Sequence, residues 1–157
     1  MSDLFREAND LMLKGLVQDA RVCYQKIFEE NPSYPGLAEN LGLACYYQAD
    51  YGAALEYLDF ALAETPDNAE LHYKTAKCLQ MQGQNELAIE SYVKSLEFNS
   101  KHAYAAYYLG KLYLEVNKIE SCRDVIRHML EAMPDDEKTH QLASLENALS
   151  GNLQKTI

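Results

Sequence analysis

Three of the four prolines of this 157-residue chain, Pro32, Pro66 and Pro134, stand 34 and 68 residues apart, and each closes an apolar run with helical spacing. The missing intermediate position falls on Ser100, where Asn99 and Ser100 break a helix in the same way. A fixed period of this length means that one small unit is repeated and stacked, because a single unit cannot bury its own apolar face. Four units follow one another without insertion, at 1–34, 35–68, 69–102 and 103–134.

Numbering slots within a unit from 1 to 34 exposes the packing code. Slot 8 holds Ala8, Gly42, Ala76 and Gly110; slot 20 holds Ala20, Ala54, Ala88 and Cys122; slot 27 holds Ile27, Ala61, Ser95 and Met129. Small residues belong where two helix backbones cross closely. Larger residues fill the rest of that seam: Leu11, Leu41, Cys45, Leu79, Leu109 and Tyr113 on the first helix, and Tyr24, Leu58, Tyr92 and Ile126 on the second. Between the two helices of each unit, Gly15, Ala49-Asp50, Gly83 and Asn117 supply tight stops.

This pattern resembles the tetratricopeptide repeat, whose units are helix, turn, helix and a proline-containing turn. The family often has tryptophan at slot 4, where this chain has Leu4, Ala38, His72 and Ala106. The resemblance implies an all-α fold, a right-handed α-solenoid. After Pro134, residues 135–150 are expected to form a capping helix. Asp135 and Asp136 are its N-cap candidates, Leu142, Leu145 and Leu149 its apolar stripe, and Glu137, Lys138, Gln141, Glu146 and Asn147 its outer sides. Residues 151–157 are expected to be a tail.

In such a solenoid the first helix of each unit lines the inner wall, and the resemblance assigns slots 2, 5, 6, 9, 12 and 13 to that surface. Half of the twelve tyrosines fall there: Tyr46, Tyr47, Tyr73, Tyr104, Tyr107 and Tyr108. Tyrosine offers a large contact area and a polar tip at small entropic cost, so an exposed row of it marks a binding surface. Tyr24, Tyr51, Tyr92 and Tyr113 occupy slots that the fold itself uses. On the wall, Arg6, Lys74, Lys77 and Lys111 outnumber Glu39, Glu70 and Glu115, although the chain carries a net charge of −10. Such a wall suits a peptide with an acidic group or a C-terminal carboxylate beside apolar or proline residues. Members of the family that hold the carboxylate ends of heat-shock chaperones use five polar positions. Asn9, Asn40 and Lys74 match three of them, while Phe5 and Glu70 replace two cations. A two-carboxylate clamp is therefore not expected, and Asn9 and Asn40 are expected to bond a peptide backbone.

The remaining features narrow the function. The acidic balance opposes nucleic acid, and neither a signal peptide nor a membrane span is expected, since charge begins at Asp3 and no long apolar run follows. Cys23, Cys45, Cys78 and Cys122 lack metal-site or disulfide spacing and suit a reduced, cytoplasmic setting. His72, His102, His128 and His140 fall in unrelated slots and are expected on surfaces or in turns. No metal or cofactor is expected, and no catalytic motif such as a phosphate loop, G-x-S-x-G or H-E-x-x-H occurs. An adaptor holding a peptide is the leading expectation. The alternative is a dedicated bacterial chaperone similar to the repeat-built chaperones of type III secretion translocators, which carry a dimerising helix ahead of three repeats. Phe5 and Leu13 lie on a first helix without a cap, where a second subunit, an upstream segment or a ligand is expected to dock.

Overall fold

Residues 2–153 are described in the computed structural model, with side chains to residue 148. Among them the chain forms nine helices and no strand: α1 (Ser2–Leu13), α2 (Val17–Glu30), α3 (Leu37–Tyr47), α4 (Tyr51–Glu64), α5 (Ala69–Met81), α6 (Asn85–Phe98), α7 (Ala103–Glu115), α8 (Ile119–Ala132) and α9 (Glu137–Leu153). Each helix packs on the next, and α9 packs on both α7 and α8, so the architecture is an all-α solenoid.

The turns follow from backbone chemistry. Gly15, Ala49, Gly83 and Asn117 all take positive φ, between 58° and 76°, and each ends a first helix. Glycine enters this region without strain, while alanine at Ala49 does so at a cost that the repeat geometry imposes. Asp50 then caps α4 by accepting from the Ala53 amide, and Asn68 caps α5 by accepting from the Glu70 and Leu71 amides. Asp50 also receives Arg21 at 2.9 Å, which ties α2 to the turn of the following unit. That bond, followed by the Ala53 amide, holds the Asp50 carboxyl below its ordinary value.

The small-residue slots are buried in every unit. Ala8, Ala20, Ala54, Ala76, Ala88 and Cys122 are inaccessible, and Ile27, Ala61, Ser95 and Met129 line the same seam. A second set joins consecutive units: Leu37, Leu71 and Ala105 near the start of the first helices, and Ala44, Cys78 and Leu112 in their last turns, all buried. Four apolar clusters thus run end to end as one continuous core.

Several expectations are revised. His72 is buried, its Nε2 2.9 Å from the Pro66 carbonyl and its ring stacked on Phe98 with centroids 5.4 Å apart. It fills the slot where an aromatic is common. Phe5 is not bare: Tyr34 and Tyr24 cover it, with centroids 4.9 and 5.8 Å away, whereas Leu13 stays 86% exposed. In α9 the buried face is Thr139, Leu142 and Glu146, while Leu145 is exposed. Glu146 is inward because Arg123 of α8 meets it at 2.9 Å. Asp136 caps this helix, accepting from the Lys138 and Thr139 amides. The helix continues through Ser150-Gly151 to Leu153, past the expected stop. Of the expected stripe and tail, the Leu149 side chain and residues 154–157 lie outside the described residues.

Candidate functional site

Side chains of the first helices α1, α3, α5 and α7 meet along one wall, and α9 packs against α7. Contacts run along the wall from one helix to the next. Asn40 donates to the Asn9 carboxamide oxygen at 3.1 Å, and the Tyr24 hydroxyl donates to the same oxygen at 2.6 Å. Lys74 donates to Glu39 at 2.6 Å and lies 3.8 Å from Glu70. Glu70 in turn reaches His102 Nε2 at 2.9 Å. Because His102 Nδ1 accepts from the Ala105 amide as the cap of α7, Nε2 carries the proton and donates to Glu70.

The aromatic part of the wall has two groups. Tyr46 packs between Tyr47, in a T-shaped contact, and Tyr51, in a tilted one, both centroids 5.7 Å away. Tyr73 touches His102, Tyr108 and Tyr104 at 4.9, 6.3 and 6.5 Å, and Tyr108 meets Tyr107 at 5.4 Å. Burial raises the Tyr46 hydroxyl above the ordinary phenol value and the Tyr73 hydroxyl well above it. Tyr47 and Tyr104 are the outward members, 64% and 52% exposed.

Cations sit on these rings. The Lys77 ammonium is 3.7 Å from the Tyr108 centroid, and Lys111 is 5.7 Å from that of Tyr107. Lys138 of α9 lies 5.4 Å from Tyr104 and 5.1 Å from Tyr107. Such placements are favourable because the ring face is electron-rich. Burial, and then the charge of Lys111, push Lys77 below the usual lysine value. Sequence reasoning missed Lys138, since nothing along the chain says that the cap helix returns beside α7.

The structure therefore divides the expected site residues. Tyr73, Tyr104, Tyr107, Tyr108, Lys77 and Lys111 form one connected cluster. Tyr46 and Tyr47 form another, joined to the first by a cavity of about 160 Å³ with Gly42 and Cys78 in its lining. Lys74 is neutralised by two carboxylates, and Asn9 and Asn40 are bonded to each other and to Tyr24. A second, more open hollow of about 440 Å³ lies among the second helices, beside Val93, Leu96, Val125 and His128.

A family profile described as tetratricopeptide repeat matches residues 40–103. The chain is 26% identical, over 94% of its length, to a TPR repeat-containing protein of Methanocaldococcus jannaschii, and spans 32% of that relative. A solved tetratricopeptide repeat protein from Parabacteroides merdae superposes with a TM-score of 0.86 at 22% identity, covering 96% of this chain and 60% of the other. Another solved structure, YrrB, described as a TPR protein with an unusual peptide-binding site, gives a TM-score of 0.76 at 19% identity, covering 95% and 77%.

Proposed function

We propose that this chain, which belongs to the tetratricopeptide repeat family, is a protein interaction module whose inner wall holds an extended segment of a partner protein. The observation that carries the reading is the row of mutually touching tyrosines, Tyr73, Tyr104, Tyr107 and Tyr108, with Lys77 on one ring and Tyr104 half open to solvent. Partly exposed aromatics in a row offer contact area that the fold has already ordered, so little entropy is lost on binding. The peptide-binding site named for the YrrB neighbour supports the same class of partner. The lysines favour a segment with an acidic group beside apolar or proline residues. The module acts by positioning its partner within an assembly, and its role is that of an adaptor.

The test is to recover the native partner by affinity capture from the source organism and titrate it against two variants. Tyr104→Ala removes a ring from the inner wall, and Phe60→Ala removes an exposed ring from α4, where it meets the Phe28 ring. Weakened binding in the first variant alone supports the reading. Weakened binding in the second alone moves the interface to the outer face and ends it.

A further inference from the structure

Gly42 and Gly110 occupy the same slot of the second and fourth units, yet they are covered differently. A methyl group built on Gly110 would collide with Leu142 Cδ2, so the buried leucine of α9 lies directly over the glycine. At Gly42 the three nearest atoms, two of Leu58 and the Ala54 carbonyl oxygen, all belong to α4. Lys74 of α5 stands 68 residues before Leu142 and so holds the corresponding slot. Its side chain is drawn aside to Glu39 and Glu70. What remains is the 160 Å³ cavity, lined by Gly42, Leu43, Tyr46, Leu58, Tyr73 and Cys78, with exposed Tyr47 and the paired Lys74 and Glu70 also in its lining. A cavity of this size takes up a benzene-sized apolar group in other proteins, and a leucine side chain is of the same order.

The rim supplies a second constraint. Lys77 also lines the cavity, and Lys111 and Lys138 continue from it along α7 and α9 on the rings of Tyr107 and Tyr104. Among the described residues, none of these three lysines has a carboxylate within ion-pair distance; Glu115 acts on Lys77 only from further away. On a chain of net charge −10, an unneutralised row of cations is complementary to an acidic ligand.

We infer that the cavity beside Gly42 receives a leucine-like aliphatic side chain of an extended acidic peptide, whose carboxylates lie along Lys77, Lys111 and Lys138. Leu142 over Gly110 is the chain's own version of that contact. The inference rests on the peptide-holding role of the inner wall and specifies its ligand.

The probe is a fluorescent synthetic peptide with one leucine between two runs of glutamate, compared by anisotropy with its leucine-to-alanine version. Leucine should tighten binding about tenfold, the effect of burying one aliphatic side chain. Lys138→Glu should weaken it about threefold at low salt. Leu43→Trp, checked for folding by circular dichroism, should fill the cavity and abolish the leucine preference. A photo-leucine version of the probe should crosslink to the lining of the cavity.

Equal binding of the leucine and alanine peptides, absence of binding, or crosslinks elsewhere on the wall overturn the inference. So does concentration-dependent self-association that Leu43→Trp removes, since the cavity then belongs to a second copy of the chain. None of these results touches the wider reading, which stands or falls with the native partner and the Tyr104→Ala variant.

Discussion

The Lys77 ammonium stands 3.7 Å above the ring of Tyr108, and Lys111 is close enough to oppose its charge. Burial is the larger cause and Lys111 the next, and both favour the neutral amine. Lys77 should therefore titrate below the ordinary lysine value when followed by NMR of the ¹³C-methylated amine. Lys111→Gln should move it upward by removing the second cause. The sign for stability follows: the folded chain releases this proton before the unfolded chain does. Stability from this group rises as pH climbs from the lowered folded value toward the ordinary 10.5. A downward shift in Lys111→Gln would contradict the geometry.

Tyrosines act in the opposite direction. Burial raises Tyr24 to about 12 and lifts Tyr73 and Tyr92 higher still, from an ordinary 10.0. Their contribution is fully present below the unfolded value and is lost as pH rises through the folded values. Alkaline titration at the phenolate absorbance band, followed together with circular dichroism, tests this. Tyr24, Tyr73 and Tyr92 should ionise only with loss of helical circular dichroism. Smooth ionisation of all twelve without unfolding would show these three to be open to solvent.

Gly110→Ala sets two effects against each other. Alanine favours a helix by roughly 0.5–1 kcal/mol over glycine, but its Cβ would collide with Leu142 and force it from a fully buried position. Overpacking of this kind costs roughly 1–3 kcal/mol, so the net effect should be a loss of roughly 1–2 kcal/mol in denaturant midpoint analysis. The double variant Gly110→Ala with Leu142→Ala should show a favourable coupling, because the space is then free. Additive losses would mean that the two residues do not meet.

Gly110 also shows how far a sequence carries. The stops at Gly15, Ala49, Gly83 and Asn117 and the small residues at the crossings were legible because each is a local demand repeated once per unit. The orientation of α9 was not. Leu142, Leu145 and Leu149 suggest one stripe, but α9 docks on α7 and α8 together, which buries Thr139, Leu142 and Glu146 and leaves Leu145 outside. Lys74 and Lys138 exchanged expected roles for the same reason. Which lysine meets a carboxylate and which meets a ring depends on the superhelical offset between neighbouring first helices, and a one-dimensional period does not encode that offset.

Asn9 holds two donors, the Tyr24 hydroxyl at 2.6 Å and Asn40 at 3.1 Å. Tyr24 is almost wholly buried, so Asn9→Ala leaves its hydroxyl without an acceptor and should destabilise the first unit by roughly 1–3 kcal/mol. Tyr24→Phe in the same background should recover part of the loss, since the orphaned hydroxyl is gone. An unchanged midpoint in Asn9→Ala would place this asparagine in ligand binding rather than in the fold.

The last prediction separates apolar contact from charge on the inner wall. Tyr107 lies partly buried between Tyr108 and the lysines of α7 and α9, and Tyr107→Ala should cost roughly 1–3 kcal/mol of partner binding, as a central aromatic anchor does. That loss should be nearly independent of ionic strength. Lys77→Glu combined with Lys111→Glu should weaken binding more at low salt than at high salt, because charges that reach solvent are screened over about 8 Å at physiological ionic strength. Titrations of the captured partner at two salt concentrations measure both. If the charge reversal left affinity and salt slope unchanged while Tyr107→Ala abolished binding, the lysines would serve only to support the tyrosine rings, and the partner's segment would be apolar rather than acidic.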